Sequence, residues 1–103
     1  MECSVENEIL NISEQIATLA HPDKIILFGS RAKGTATKMS DIDLCVVSNT
    51  DDKRELLRRI YIETEAGMPF DVVLYTLAEW EEAEQETDSF AFQIKKQGIV
   101  LHG

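Results

Sequence analysis

Apolar residues recur along the first fifth of the chain at intervals of three and four: Val5, Ile9, Ile12, Ile16 and Leu19. That period predicts an amphipathic helix over 5–19. Ser4 stands where an N-cap is needed, and His21-Pro22 marks the stop, because proline biases its predecessor away from helix. The pattern then changes. Lys24 to Phe28 (KIILF) is a short, almost unbroken apolar run, as in a buried strand. Gly29 breaks it, and Gly34 closes a very short helical turn. Thr35 to Ser40 is polar and reads as a loop. Asp41 to Ser48 (DIDLCVVS) is a second strand.

Ser48-Asn49-Thr50-Asp51 offers several N-caps for a helix whose inner face is Leu56, Leu57, Ile60, Tyr61 and Thr64. Gly67-Met68-Pro69 is a turn, and Phe70 to Tyr75 (FDVVLY) a third strand. Thr76-Leu77-Ala78-Glu79 has the spacing of a capping box and should open a helix. A last helix covers 89–97, ended by Gly98, and Ile99-Val100-Leu101 can add an edge strand. Helices and strands alternate around one small sheet. The expected class is α+β: an α/β-like sandwich with a small mixed β-sheet packed against helices.

Length and charge narrow the picture. A chain of 103 residues fits one domain, 1–103, able to bury roughly 60–70% of the surface its unfolded form exposes. With 44% apolar residues it needs no staples. The net charge of −9 disfavours general binding to phosphate backbones. It does not disfavour a nucleotide delivered with a divalent cation, which reverses the local sign. Cys3 and Cys45 make neither a disulfide framework nor a zinc pattern. With no signal peptide and no long apolar stretch, the expected location is cytoplasmic, with no membrane partner.

The chemistry concentrates between Gly29 and Leu44, GSRAKGTATKMSDIDL. Gly29-Ser30 follows a strand and opens a helical turn, so its N–H groups can face a phosphate and the missing side chain lets that phosphate approach. Arg31 either binds phosphate or pairs with the acids nearby. Lys33 and Lys38 read as solvated loop charges, with phosphate contact the alternative. Asp41 and Asp43 are two apart on a strand, so their carboxylates share one face, with α-carbons roughly 6–7 Å apart. They can converge on one divalent ion or a pair. Carboxylate oxygens suit Mg²⁺, with Mn²⁺ a substitute, rather than zinc. Asp71 opens the third strand; if that strand neighbours the second, it completes a three-carboxylate cluster. A lone Asp-x-Asp or Gly-Ser is weak; the joint spacing carries the reading.

This arrangement resembles the nucleotidyltransferase pattern of the DNA polymerase β superfamily: Gly-Ser, ten residues (Arg31 to Ser40), Asp-x-Asp, and a third Asp on a later strand. GSRA-x-G…SDIDL and the closing FAFQIKKQGIVLHG look like the minimal nucleotidyltransferases of bacteria and archaea. The resemblance implies that Gly29, Ser30 and Arg31 bind the nucleotide and that Asp41, Asp43 and Asp71 are the catalytic and metal-binding residues. The implied reaction is attack of a hydroxyl on the α-phosphate of a nucleoside triphosphate, ATP by the same resemblance. Such proteins are often paired with a small all-helical HEPN ribonuclease toxin. The implied role is then an antitoxin that places AMP on a tyrosine of that partner. A second copy of the chain could instead complete so small a site.

Two other functions compete: transfer to a small alcohol such as an aminoglycoside, and a module that holds nucleotide or masks a partner without catalysis. Trp80, Phe90, Phe92 and Tyr75 read as packing or interface residues rather than base-stacking ones. His21 and His102 read as surface residues. Lys53, Arg54, Arg58 and Arg59 read as a solvated basic face, with a docking surface for an acidic partner the alternative.

Overall fold

The computed structural model of the protein describes residues 4–103; Cys3 lies outside the described residues. Among the described residues, five helices and four strands run in the order α1 (Val5–Ala20), β1 (Lys24–Phe28), α2 (Ser30–Lys33), β2 (Ile42–Val47), α3 (Lys53–Glu63), β3 (Phe70–Tyr75), α4 (Leu77–Ala83), α5 (Phe90–Gln97) and β4 (Ile99–His102). The strands form one mixed sheet in the order β3-β2-β1-β4. β1 is antiparallel to β2 and β4, while β2 and β3 are parallel. The chain is therefore an α+β fold with helices on both sheet faces.

Alternation along the strands sorts two cores. Ile25, Leu27, Leu44, Val46, Val72 and Leu74 face α1 and α3, meeting Ile12, Ile16, Leu56 and Ile60. Ile26, Cys45 and Val47 face the other way and meet Trp80, Ala91 and Ile94 of α4 and α5. Trp80 is a core residue, and Tyr75 packs edge-on against it at 5.5 Å. Both sides of β1 and β2 are thus covered along most of their length, which is why their sequences read as nearly continuous apolar runs.

Most boundaries follow from local chemistry. The Ser4 hydroxyl caps α1 by accepting from Asn7 N at 3.1 Å, and α1 ends where His21 turns left-handed with φ 45°. Thr76 and Glu79 close the expected capping box, each side chain accepting from the other's N–H at 3.2 and 2.9 Å. The α3 cap departs from expectation. It is Asp52, which accepts from Glu55 N at 3.1 Å. Its predecessors are engaged elsewhere: buried Ser48 donates to Ala20 O at 2.9 Å, and Thr50 accepts from Asp52 N at 3.1 Å.

The basic face of α3 is largely satisfied at home. Lys53 pairs with Glu79, Arg58 with Glu55 and Arg59 with Glu63. His21 and His102 are exposed, as expected, although His102 Nε2 meets Pro22 O at 3.2 Å. No helix among the described residues is long and apolar enough to cross a membrane.

Candidate active site

The end of β1 and the starts of β2 and β3 lie side by side. In this register Asp43 faces Phe28 of β1 on one side and Asp71 of β3 on the other. Residues in register across a sheet project from the same face. The third-strand acid is thus on the same side as Asp43, one strand spacing away, about 4.8 Å. Asp41 lies just ahead of β2, two residues before Asp43, exposed at its entrance. Asp41 and Asp71 line one open groove of about 510 Å³, with Thr64, Gly67, Met68 and Phe70 as its far wall.

The face is the one that α4 and α5 cover further along. At Cys45 it is fully buried, and burial pushes that thiol up to about 12. Two residues earlier the cover stops, and Asp43 stands half-buried at the margin. Burial, and then the carboxylates of Asp71 and Asp41, push the Asp43 carboxyl above the ordinary aspartate range. No lysine or arginine forms an ion pair with these acids among the described residues. Neither do any three Asp, Glu, His or Cys side chains there stand close enough to hold one metal ion together. The expected carboxylate cluster is aligned in register rather than closed around one point. A hard divalent cation suits this donor set, since oxygen ligands and unreturned negative charge are what it needs.

Gly29 fits against this face by necessity. Its backbone, φ 76° and ψ −159°, lies in a region that is essentially glycine-only. A Cβ there would run into the Asp43 carboxylate at Oδ2. The Gly-Ser turn and the second acid of the Asp-x-Asp pair are therefore in direct contact. Ser30 then opens α2; the Ala32 and Lys33 N–H groups return to Gly29 O, each at 3.1 Å, which leaves those of Ser30 and Arg31 as the donors of the turn. The site thus sets anion-seeking N–H groups beside cation-seeking carboxylates, which is the pair of features a metal-bound phosphate requires.

Arg31 reaches the neighbouring loop rather than an aspartate. Its Nη2 donates to Ser40 O at 2.7 Å and Thr37 O at 3.3 Å. It ties down the 35–40 loop whose next residue is Asp41, and Ser40 Oγ closes the loop by accepting from Thr37 N at 2.9 Å. No ion pair links Arg31 to an aspartate among the described residues. Lys33 and Lys38 are exposed.

Other supports were missed in the sequence. Gly67 N donates to Glu8 Oε1 at 2.7 Å. Gln15 Nε2 donates to Glu65 O at 2.7 Å, and Gln15 Oε1 accepts from Glu65 N at 2.8 Å. These α1 side chains pin the groove wall that faces Asp41 and Asp71. Their spacing, with Asn11 between, is a polar stripe at helical period, which was the available signal. Tyr61 stacks on Phe70 at 5.4 Å and caps the free edge of β3, its hydroxyl accepting from Val72 N at 2.7 Å.

Comparison with known proteins agrees with this geometry. The family described as "Nucleotidyltransferase domain" matches residues 7–101. A crystal structure of a Sulfolobus solfataricus protein, titled as a candidate nucleotidyltransferase, superposes with a TM-score of 0.59 over 89% of this chain and 74% of that one. At 19% identity that likeness speaks for the fold. No curated protein matches the chain. With nearly its whole length matched and the Gly-Ser turn set against the Asp-x-Asp strand, the chain belongs to the nucleotidyltransferase domain family.

Proposed function

We propose that the protein transfers AMP from ATP, in the presence of Mg²⁺, to a tyrosine hydroxyl of a small helical HEPN-type partner, and so acts as an antitoxin. The observation that carries the transfer chemistry is the register of Asp43 with Asp71, with Gly29 against the Asp43 carboxylate. The acceptor and its antitoxin role rest on the resemblance of GSRA-x-G…SDIDL to the minimal nucleotidyltransferases, and on charge. A net charge of −9 favours encounter with a basic partner.

Asp41, Asp43 and Asp71 would hold the cation, and Mn²⁺ would substitute. When bound, the metal supplies charge neutralisation for the triphosphate and polarises the α-phosphate. The N–H groups at the start of α2, with the Ser30 hydroxyl, donate to phosphate oxygens, and Gly29 leaves room for them. Arg31 holds the loop that presents Asp41. Asp71, exposed in the open groove, orients the acceptor hydroxyl and takes its proton. The tyrosine oxygen then bonds to the α-phosphorus while the bond to the bridging oxygen breaks and pyrophosphate leaves. Asp43 pairs in register with Asp71 and feels the charge of both other acids, so removing its charge disturbs the whole set.

The test is incubation with ATP labelled at the α-phosphate, Mg²⁺ and a helical HEPN-type protein. Label on a tyrosine of that protein, absent with Asp43→Asn, is the expected result. Label only on a small alcohol such as an aminoglycoside would overturn the acceptor assignment. Label on nothing would overturn transfer itself.

A further inference from the structure

On the other flank of Gly29 lies a second cavity, of about 210 Å³, between α2 and α5. Its wall includes Phe28 and Gly29 on the turn side, Lys33 at the end of α2, and Phe90, Gln93 and Gln97 on α5. Spacings of three and four put these three α5 residues on one helix face. Phe90 is the unusual member. It is 53% exposed although it begins a helix that packs into the core. Its ring meets Phe28 edge-on, with centroids 5.4 Å apart and planes at 88°. Phe28 is in turn in register with Asp43. An aromatic floor therefore continues the row Asp71, Asp43 beyond the Gly-Ser turn.

We infer that this α2–α5 cavity is the nucleoside subsite, in which Phe90 stacks on the nucleobase and the Gln93 and Gln97 amides meet the base edge. The inference rests on the nucleotidyl-transfer reading and adds to it the grip on the base. Three observations select this occupant. The cavity shares Gly29 with the turn that receives phosphate, so a ligand held by its phosphates there is already tethered at the mouth. Its lining is aromatic and amide, with Lys33 the one cation among the residues named, which suits a neutral ring better than a further phosphate. Its volume, about 210 Å³, leaves room for a planar heterocycle. An aromatic π-face on which a base can stack is a recurring way for proteins to hold nucleobases. The amides of glutamine carry both donor and acceptor atoms, so the pair can read a base edge.

Binding of ATP and of inorganic tripolyphosphate, each with Mg²⁺, tests this by calorimetry on the full chain. Phe90→Ala should weaken ATP by roughly 5- to 150-fold, the range of a lost base stack, and leave tripolyphosphate affinity as it was. Phe90→Leu keeps an apolar contact with Phe28 but has no π-face, so it should show the same selective loss with the fold intact. Gln97→Leu should change the ranking of ATP against GTP and CTP. Unchanged ATP affinity in both Phe90 variants would overturn the subsite. So would equal losses of ATP and tripolyphosphate, which would mean a general disturbance of the turn. So, too, would loss of partner association with nucleotide affinity intact, which would make the aromatic face a protein contact. A wild-type chain that binds neither ligand would overturn the transfer reading together with the subsite.

Discussion

Replacing Gly29 with alanine perturbs backbone and active site through one added methyl group. The backbone cost follows from φ 76° and ψ −159°, a region where a residue with a side chain is strained by about 1–3 kcal/mol. The second effect is local: the new Cβ would meet Asp43 Oδ2, so the carboxylate must swing away or the turn must retreat. Gly34 provides the control. It also has a positive φ, 78°, but a Cβ there would meet nothing within 4 Å. Gly34→Ala should therefore show a conformational cost alone, about 1–2 kcal/mol. In a domain of this size each kcal/mol moves the melting temperature by about 4–8 °C. Both variants should melt lower than wild type, and thermal unfolding followed by circular dichroism reads the difference. Only Gly29→Ala should also lose Mg²⁺-dependent ATP binding, because only there does the methyl displace an acid of the site. A Gly29→Ala protein that binds Mg²⁺–ATP as well as Gly34→Ala would refute the contact between turn and acid as a functional feature.

Other consequences are smaller and separately measurable. Arg31→Met removes the bonds to Ser40 O and Thr37 O; it should cost about 1–2 kcal/mol in urea unfolding and weaken Mg²⁺–ATP binding by freeing the Asp41 loop. Wild-type affinity in that variant would show that Arg31 does not position Asp41. Thr76→Ala should cost about 1 kcal/mol through loss of the α4 cap. The Glu79 carboxyl is held below its ordinary value, first by the Thr76 N–H and then by Lys53. Its contribution is therefore complete above the unfolded Glu pKa and lost as the pH falls through the lowered folded value. Melting temperature should drop on acidification below about pH 4.5, less steeply in Glu79→Gln. In a Cys3→Ser variant the remaining thiol, Cys45, is buried and pushed up to about 12, so thiol reagents at pH 8 should modify it only after unfolding. Rapid native labelling would contradict its place between β2 and the α4–α5 layer.

The elements were legible where a local rule decided them. The Ser4 cap, the Thr76–Glu79 box, the glycine ends and the apolar runs of β1 to β3 all stand close to where the pattern puts them. So does the Gly-Ser to Asp-x-Asp spacing. Four things depended on geometry beyond a short window. Asp71 joins Asp43 only because β3 lies parallel to β2 in a register that pairs them, and strand order is not written in any short window. The α3 cap fell to Asp52 because Ser48 is drawn into the sheet by Ala20 O, 28 residues earlier. Arg31 donates to the main-chain carbonyls of Ser40 and Thr37 rather than to an aspartate, because the 35–40 loop folds back onto it, a contact that its charge alone does not reveal. Phe90, which the sequence places in the core or at an interface, lies outside the core and is 53% exposed, since α5 starts beyond the edge that Trp80 and Ile94 fill.

Manganese bound to ATP offers the sharpest check on a face shared by three carboxylates and a glycine turn. Electron paramagnetic resonance of Mn²⁺–ATP titrated with the protein should show binding by the wild-type chain. Asp43→Asn and Asp71→Asn, each still folded by circular dichroism, should lose it. Equal binding by wild type and both variants would mean that these acids do not hold the cation, and the account of the site would fall.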